Sequence, residues 1–310
     1  MVEGQEGVTW DDWVRLAHLT EEHGLEGLFR SDHYTAIIRP DADAHDAWAT
    51  LAGLAAITKR IRLGTLVSPA TFRHPSVLAR IAVTVDHISG GRVDVGMGSG
   101  WYEREHEAHG FQFLDGRKRF ELFAEQVEVV VRSWTEDRFD HDGPAYRLRD
   151  QLALPRPVQQ PHPPLVLGGR VKPRFAELAA RYATEVNTLG APNAELRERK
   201  AALDRACADL GRDPAMLGYS VMTACFIGET HADVLDRVGT FLAIRADGTD
   251  PETLIAERRD RWLVGTVDEV AERIGELEDL GVTRVFLQHL NHDDDDMVAL
   301  AGSRLVTALR

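Results

Sequence analysis

The sequence predicts an α/β protein folded as a (β/α)8 barrel, the TIM-barrel arrangement, with insertions and with a first strand that is short or missing. Short β-branched runs alternate with amphipathic stretches of helical period, the pattern of βα units around a parallel sheet. The 310 residues suit one barrel of roughly 250 residues with an insertion, or two medium domains. The G-x-G-x-x-G turn of a doubly wound dinucleotide-binding sheet, the alternative architecture, is absent.

The elements follow in order. Residues 10–24 (WDDWVRLAHLTEEHG) form a helix, with Thr9 as N-cap and Gly24 as its stop. Strands are expected at 27–33, 60–68, 91–100, 164–169, 184–189, 218–228 and 282–290. Helical periods fill 45–58, 74–88, 116–134, 172–182, 192–210, 231–245 and 266–279. The spacing is regular except over about 101–163, an insertion that ends in the proline-rich LPRPVQQPHPPLV. Seven strands leave one to find for a closed barrel. Either it is a stub at Val2–Glu3 or the chain starts downstream of its natural beginning. The expected organisation is thus one barrel domain over residues 1–310.

Composition narrows the function. Net charge is −14 and the sequence pI is near 5.4, which argues against nucleic-acid or anionic-membrane partners. No run approaches the ~20 apolar residues of a membrane span. MVEGQEGVTW lacks the basic and apolar regions of a secretory signal. Cys207 and Cys225 form neither a metal spacing nor a disulfide framework, so a cytoplasmic location is the simple reading.

In a barrel, chemistry sits at the C-terminal ends of the strands. Those ends hold Ser31, Asp32, His33 and Tyr34; Leu66, Val67 and Ser68; Ser99, Gly100 and Trp101; Gly168, Gly169 and Arg170; Asn187 and Thr188; Thr223; and Gln288 with His289. A rim of glycine, hydroxyl and imidazole suits an extended cofactor better than paired-carboxylate chemistry. GGRVKPR at 168–174 puts a Gly-Gly pair and three cations at a helix start. Bare backbone N–H groups there make an anion site, although three solvated charges would read the same way. VDVGMGSGW at 93–101 ends a second strand on glycines, which adds donors nearby. His33 is either a hydrogen-bonded rim histidine or a general base working near neutral pH. HEAH at 106–109 has helical spacing, but no third ligand is signalled, so no metal is expected. The DDDD run at 293–296 is explained by capping of the last helix.

SDH at 31–33, LGTLVSPATFRHP at 63–75, ISGGRVDVGMGSGWYEREHEAHG at 88–110 and PRPVQQPHPPLVLGG at 155–169 together resemble the luciferase-like monooxygenase superfamily. The similarity is greatest to its branch of deazaflavin F420-dependent oxidoreductases. The resemblance implies a barrel, often a homodimer, that holds F420 or FMN at the strand ends. By it, Leu66–Val67 form a bulge with a non-prolyl cis peptide behind the cofactor ring. Ser99, Gly100, Gly168 and Gly169 hold the phosphate, with Asp32 and Arg170 completing the cofactor set. His33 matches the histidine near the reactive ring carbon. The sugar-phosphate dehydrogenases of this branch carry a glutamate acid where this chain has Trp101. Ile37 replaces a tryptophan of that group, and Ala191 replaces a phosphate-clamping lysine.

The leading expectation is therefore hydride transfer between F420 and a small organic substrate. Its catalytic residue would be His33, with Glu103 a distant second. Tyr34, Trp101, Thr188, Gln288 and His289 would line the substrate pocket. The alternative is an FMN-dependent monooxygenase served by a flavin reductase. A non-catalytic flavoprotein and a metal hydrolase are further alternatives.

Overall fold

The structure is a computed structural model that describes residues 1–39 and 41–309. The first elements are α1 (Trp10–Glu22), β1 (Gly27–Arg30), α2 (Ala47–Ile57), β2 (Arg62–Thr65), β3 (Ser68–Pro69), α3 (Pro75–Ser89) and β4 (Val93–Gly98). The insertion holds α4 (Glu103–His109), α5 (Gly116–Thr135) and the hairpin β5 (Arg138–Asp142) and β6 (Arg147–Leu152). Then come β7 (Leu165–Gly168), α6 (Pro173–Tyr182), β8 (Glu185–Leu189), α7 (Asn193–Asp209), β9 (Gly218–Gly228), α8 (His231–Ile244) and α9 (Pro251–Arg258). The chain ends with β10 (Leu263–Thr266), α10 (Val267–Asp279), β11 (Arg284–Gln288), α11 (Asp295–Leu300) and further helical turns.

All seven expected strands form, and they pair in parallel in the order β1–β2–β4–β7–β8–β9–β11. Val2 closes the ring, because it pairs in parallel with both Arg30 and His289. Its N–H donates to the Phe29 carbonyl (2.9 Å) and its carbonyl accepts from Ser31 N–H (3.2 Å). The first strand is a stub. Beyond these, β3 pairs with the end of β4 as a separate short strand, and β10, on the second half of β9, and the β5–β6 hairpin of the insertion were not foreseen.

Helix starts follow the sequence signals. Thr9, Thr230 and Thr266 each form a reciprocal capping box with the acid three residues later, worth about 1 kcal/mol per cap. The main core fills the layer between helices and strands, around the fully buried Trp13, Trp48 and Trp134. Inside the barrel, Phe29, Leu66, Val166 and Phe286 form a separate plug, with the Phe29 and Phe286 rings edge to face at 4.8 Å. Below the plug, the wholly buried Asp94 pairs with Arg284 (3.0 Å) and with Arg62. The barrel interior is thus plugged below, and a cavity opens at the strand C-termini. The proline-rich end of the insertion is anchored by buried Asp86, which accepts from the backbone N–H of Val158 (2.7 Å) and Gln159 (3.1 Å).

Candidate active site

A cavity of about 1080 Å³ opens at the C-terminal ends of the strands. Of the residues expected at the site, His33, Leu66, Val67, Gly100, Trp101, Gly168, Gly169, Arg170, Thr188 and Gln288 line it. Four expected residues do not, and side-chain alternation along a strand explains three of them. Gln288 points into the barrel, so His289 points out and is buried at the border of a different cavity. His33 points in, so its neighbours Asp32 and Tyr34 turn away. Asp32 accepts from Arg73 (2.6 Å) and Ser68 (2.5 Å), and the Tyr34 hydroxyl donates to Asp46 (2.7 Å) and accepts from Arg73 (2.8 Å). These two support the site from behind instead of lining it. Ser99 sits one residue behind Gly100.

One wall is the bulge after β2, where the Leu66–Val67 peptide is cis. The glycines around it have a packing reason. A Cβ on Gly98 would lie 2.7 Å from a Val67 methyl, one on Gly168 2.9 Å, and one on Gly96 1.9 Å from the Thr65 carbonyl. Glycines that the sequence reading assigned to phosphate approach thus make room for Val67. Gly169 is restricted in the same way by the Phe175 ring, 2.8 Å from where its Cβ would be. Gly100 differs: its φ of +78° is a turn that only glycine adopts readily.

Donors for an anion are present at the same wall. Among the described residues, the backbone N–H groups of Ser99, Gly100, Arg170 and Val171 meet no acceptor. Helix α6 begins beside them, with Lys172 as an N-cap that makes no side-chain bond. Of the three cations in GGRVKPR, only Arg170 lines the cavity. Arg174 instead pairs with Glu121 (3.5 Å) and lies over the Phe120 ring. Arg199 and Arg261 reach the cavity from α7 and from the loop before β10. Nothing in the sequence pattern singled them out.

The carboxylate that matters most was also missed. Glu105 of α4 is wholly buried, and its Oε2 lies 2.7 Å from His33 Nδ1. Its Oε1 accepts from the backbone N–H of Tyr34 and Thr35 (3.0 Å for Thr35). Burial by itself lowers the His33 pKa. The hydrogen bond and charge of Glu105, with Glu3 and Asp32 further off, outweigh burial and raise it above the usual histidine value. The Trp101 ring meets His33 edge to face at 5.9 Å. Glu103, the second candidate, is exposed at the start of α4.

Other polar residues hold the floor and the loop. Glu3 accepts from Gln288 (2.6 Å) and Gln5 (3.0 Å). Glu6 accepts from the N–H groups of Ile37, Ile38 and Arg39 and so fixes that loop over the cavity. His106 is engaged at both nitrogens, by the Tyr102 carbonyl and Thr71 Oγ1 (2.7 Å each), and His109 meets Thr35 (3.3 Å). In the DDDD run, Asp294 caps α11 and pairs with Arg237 (2.7 Å), and Asp295 pairs with Arg15. Among the described residues no helix is long and apolar enough to cross a membrane.

Comparison with known proteins agrees with this architecture. The family described as luciferase-like monooxygenase matches residues 2–284. An F420-dependent glucose-6-phosphate dehydrogenase from Microbacterium testaceum is 28% identical, covering 94% of this chain and 91% of its own. An FMNH2-dependent dimethylsulfone monooxygenase from Pseudomonas putida is 25% identical, covering 94% and 86%. Among solved structures, an F420-dependent secondary alcohol dehydrogenase in complex with an F420-acetone adduct superposes with a TM-score of 0.83 at 18% identity. The alignment covers 100% of this chain and 98% of that one, a likeness of fold.

Proposed function

The chain belongs to the luciferase-like monooxygenase family, and from that premise we propose that it is an F420-dependent oxidoreductase acting on a small organic substrate. One observation carries the choice of cofactor. A single cavity is lined at once by His33, the Leu66–Val67 wall, the Gly168–Arg170 turn, and Arg199 and Arg261. FMN ends in one phosphate, for which the free N–H groups and Arg170 suffice. F420 continues into a carboxylate-bearing tail, and the two further arginines are the groups such a tail would use.

The residues present fit this cofactor. Leu66 and Val67 would back its ring, and Gly100, Gly168, Gly169 and Arg170 would hold its phosphate. When bound, F420 supplies a ring carbon that gives or takes a hydride. The protein's own task is the proton on the substrate oxygen. His33 Nδ1 is held by Glu105, which leaves Nε2 as the imidazole nitrogen for that oxygen. Glu105 orients the ring and favours its charged form. His33 is thus a proton donor when a carbonyl is reduced and an acceptor when an alcohol is oxidised. Trp101, Ile37 and Ala191 line the same cavity and bring neither an acid nor a lysine. This supports a substrate other than a sugar phosphate.

The FMN-dependent alternative keeps one specific support, the 25% identical FMNH2-dependent relative. Titration of the purified protein with F420 and, separately, with FMN at matched salt distinguishes the two. Micromolar binding of F420 alone is the expected result. Preference for FMN overturns the proposal and directs the search to oxygen uptake with a reductase. The homodimer and the cytoplasmic location belong to the same reading; light scattering checks the first and cell fractionation the second.

A further inference from the structure

The order of the strands divides the charges on the active-site cavity. Its cations come from one half of the ring: Arg170 follows β7, Arg199 stands on the helix after β8, and Arg261 precedes β10, which pairs with β9. Glu195 and Glu198 line that half too, Glu195 as the partner of Arg199 (2.5 Å). The other half runs from β11 through the stub and β1 to β4, and it carries His33. Among the described residues, no lysine or arginine lines the cavity there. Glu3 and Glu6 do line it, and Glu105 stands behind His33, where it matches the charge of a protonated imidazole. Each oxygen of these three carboxylates already accepts a hydrogen bond. Apolar side chains complete this half. Trp101 is 61% exposed and Ile37 42%, and both line the cavity. The Trp101 ring stacks on Tyr102 at 5.2 Å and meets His33 edge to face, so it flanks the imidazole from the β4 side. Ile38 packs on the apolar cluster around Phe226 and Phe241 of β9 and α8. Its loop, which Glu6 holds, therefore places Ile37 on the β11 side, across from Trp101.

We propose that the substrate is a neutral ketone or alcohol with an aromatic or alicyclic body, its oxygen at His33 Nε2 and its body held between Trp101 and Ile37. The inference rests on the proposed function, which gives the arginine half to the anionic groups of the cofactor and His33 to the substrate oxygen. A carboxylate or phosphate on the substrate would lie beside Glu3, Glu6 and Glu105 with no cation to pair. Like charges so placed reject a ligand. An ammonium gains little, because every carboxylate oxygen is already engaged. A neutral apolar body gains most, since it takes the exposed faces of Trp101 and Ile37 out of water. Trp101 is then the residue that sets the preference.

The test uses the full chain and three ketones: acetophenone, 4-acetylbenzoate, which adds a carboxylate to the same frame, and butanone, which lacks the ring. Calorimetry measures their binding to the free protein and to protein loaded with F420, or with FMN where that binds instead. Acetophenone should bind with a Kd of about 1 mM or tighter, and roughly tenfold tighter than either of the others. Trp101→Ala should weaken acetophenone about tenfold and leave 4-acetylbenzoate weak. Trp101→Arg places a cation beside His33 and should bring 4-acetylbenzoate level with acetophenone or ahead of it. The side chain is exposed, and melting temperatures check that both variants keep the fold. No binding of acetophenone, equal binding of acetophenone and 4-acetylbenzoate by the parent protein, or unchanged acetophenone affinity in Trp101→Ala overturns the substrate class. The cofactor reading fails separately. Protein that discriminates among the ketones but prefers FMN keeps this inference and loses F420, whereas protein that takes F420 without discriminating loses only this inference.

Discussion

His33 Nδ1 and Glu105 Oε2 lie 2.7 Å apart, and the carboxylate is wholly buried while the imidazole borders the cavity. A buried carboxylate that also accepts two loop N–H groups is fixed in place, so the imidazole it holds is fixed as well. Glu105→Gln keeps an acceptor for the loop but removes the charge. Turnover should fall about 10- to 100-fold, with the apparent pKa of His33 moving down. Cofactor affinity should stay within about twofold. His33→Ala should bind cofactor and lose turnover. Unchanged kcat and an unchanged pH profile in Glu105→Gln would remove the residue from the mechanism.

The pH dependence reports the direction of the reaction. The His33 pKa is raised, since Glu105 outweighs burial. Oxidation of an alcohol needs the neutral imidazole, so its rate should rise with pH through a value above the ordinary ~6.5. Reduction of a carbonyl needs the imidazolium, and its rate should fall through the same value. A profile flat from pH 5.5 to 8.5 in both directions would mean that another group moves the proton.

The glycines around Val67 give a prediction about packing. Gly98→Ala puts a methyl 2.7 Å from Val67 Cγ2, and overpacking of that kind costs roughly 1–3 kcal/mol. Adding Val67→Ala should recover most of that loss in urea unfolding. If the double variant is no more stable than Gly98→Ala alone, Val67 is not what excludes the side chain.

Arg170 gives the clean test of the anion wall. Gly169→Asp would confound binding with packing, because a side chain there meets the Phe175 ring. Arg170 lines the cavity, is exposed, and makes no ion pair among the described residues. Arg170→Glu should weaken F420 binding about 10- to 100-fold, a change of ~1.4–2.7 kcal/mol, with no shift in melting temperature. Equal affinity would move the phosphate elsewhere.

Much of this was legible in the sequence because barrel strands are buried on both faces and read as continuous β-branched runs. β10 escaped notice because only Leu263 to Thr266 pair, right after a charged stretch. The β5–β6 hairpin escaped because RFDHD alternates charge with burial on a partly solvated surface. Glu105 lies in the run YEREHEAH, where the residues on either side look equally solvated. Only the turn of α4 toward the 33–35 loop distinguishes it from Glu103 and Glu107. The strand ends as a group border one cavity, but sequence position alone could not say which of two successive residues faces inward. That is why Asp32, Tyr34 and His289 were assigned to the cavity and lie outside it.

His289 sets the last expectation, on acid stability. Burial first, and then the Met1 ammonium, push its pKa down to about 3, with Asp294 opposing. A histidine that is neutral when folded and near ~6.5 when unfolded takes up its proton only on unfolding. Its contribution to stability is therefore complete above pH ~6.5 and is lost as pH falls toward 3, at up to ~1.4 kcal/mol per pH unit. His289→Leu removes that proton uptake along with two unpartnered ring nitrogens. The acid-unfolding midpoint should move to lower pH, and stability at pH 5 should approach that at pH 7. The two proteins would be compared by urea unfolding at both pH values. If the pH 5 deficit of the parent protein persists in His289→Leu, a different group binds the proton.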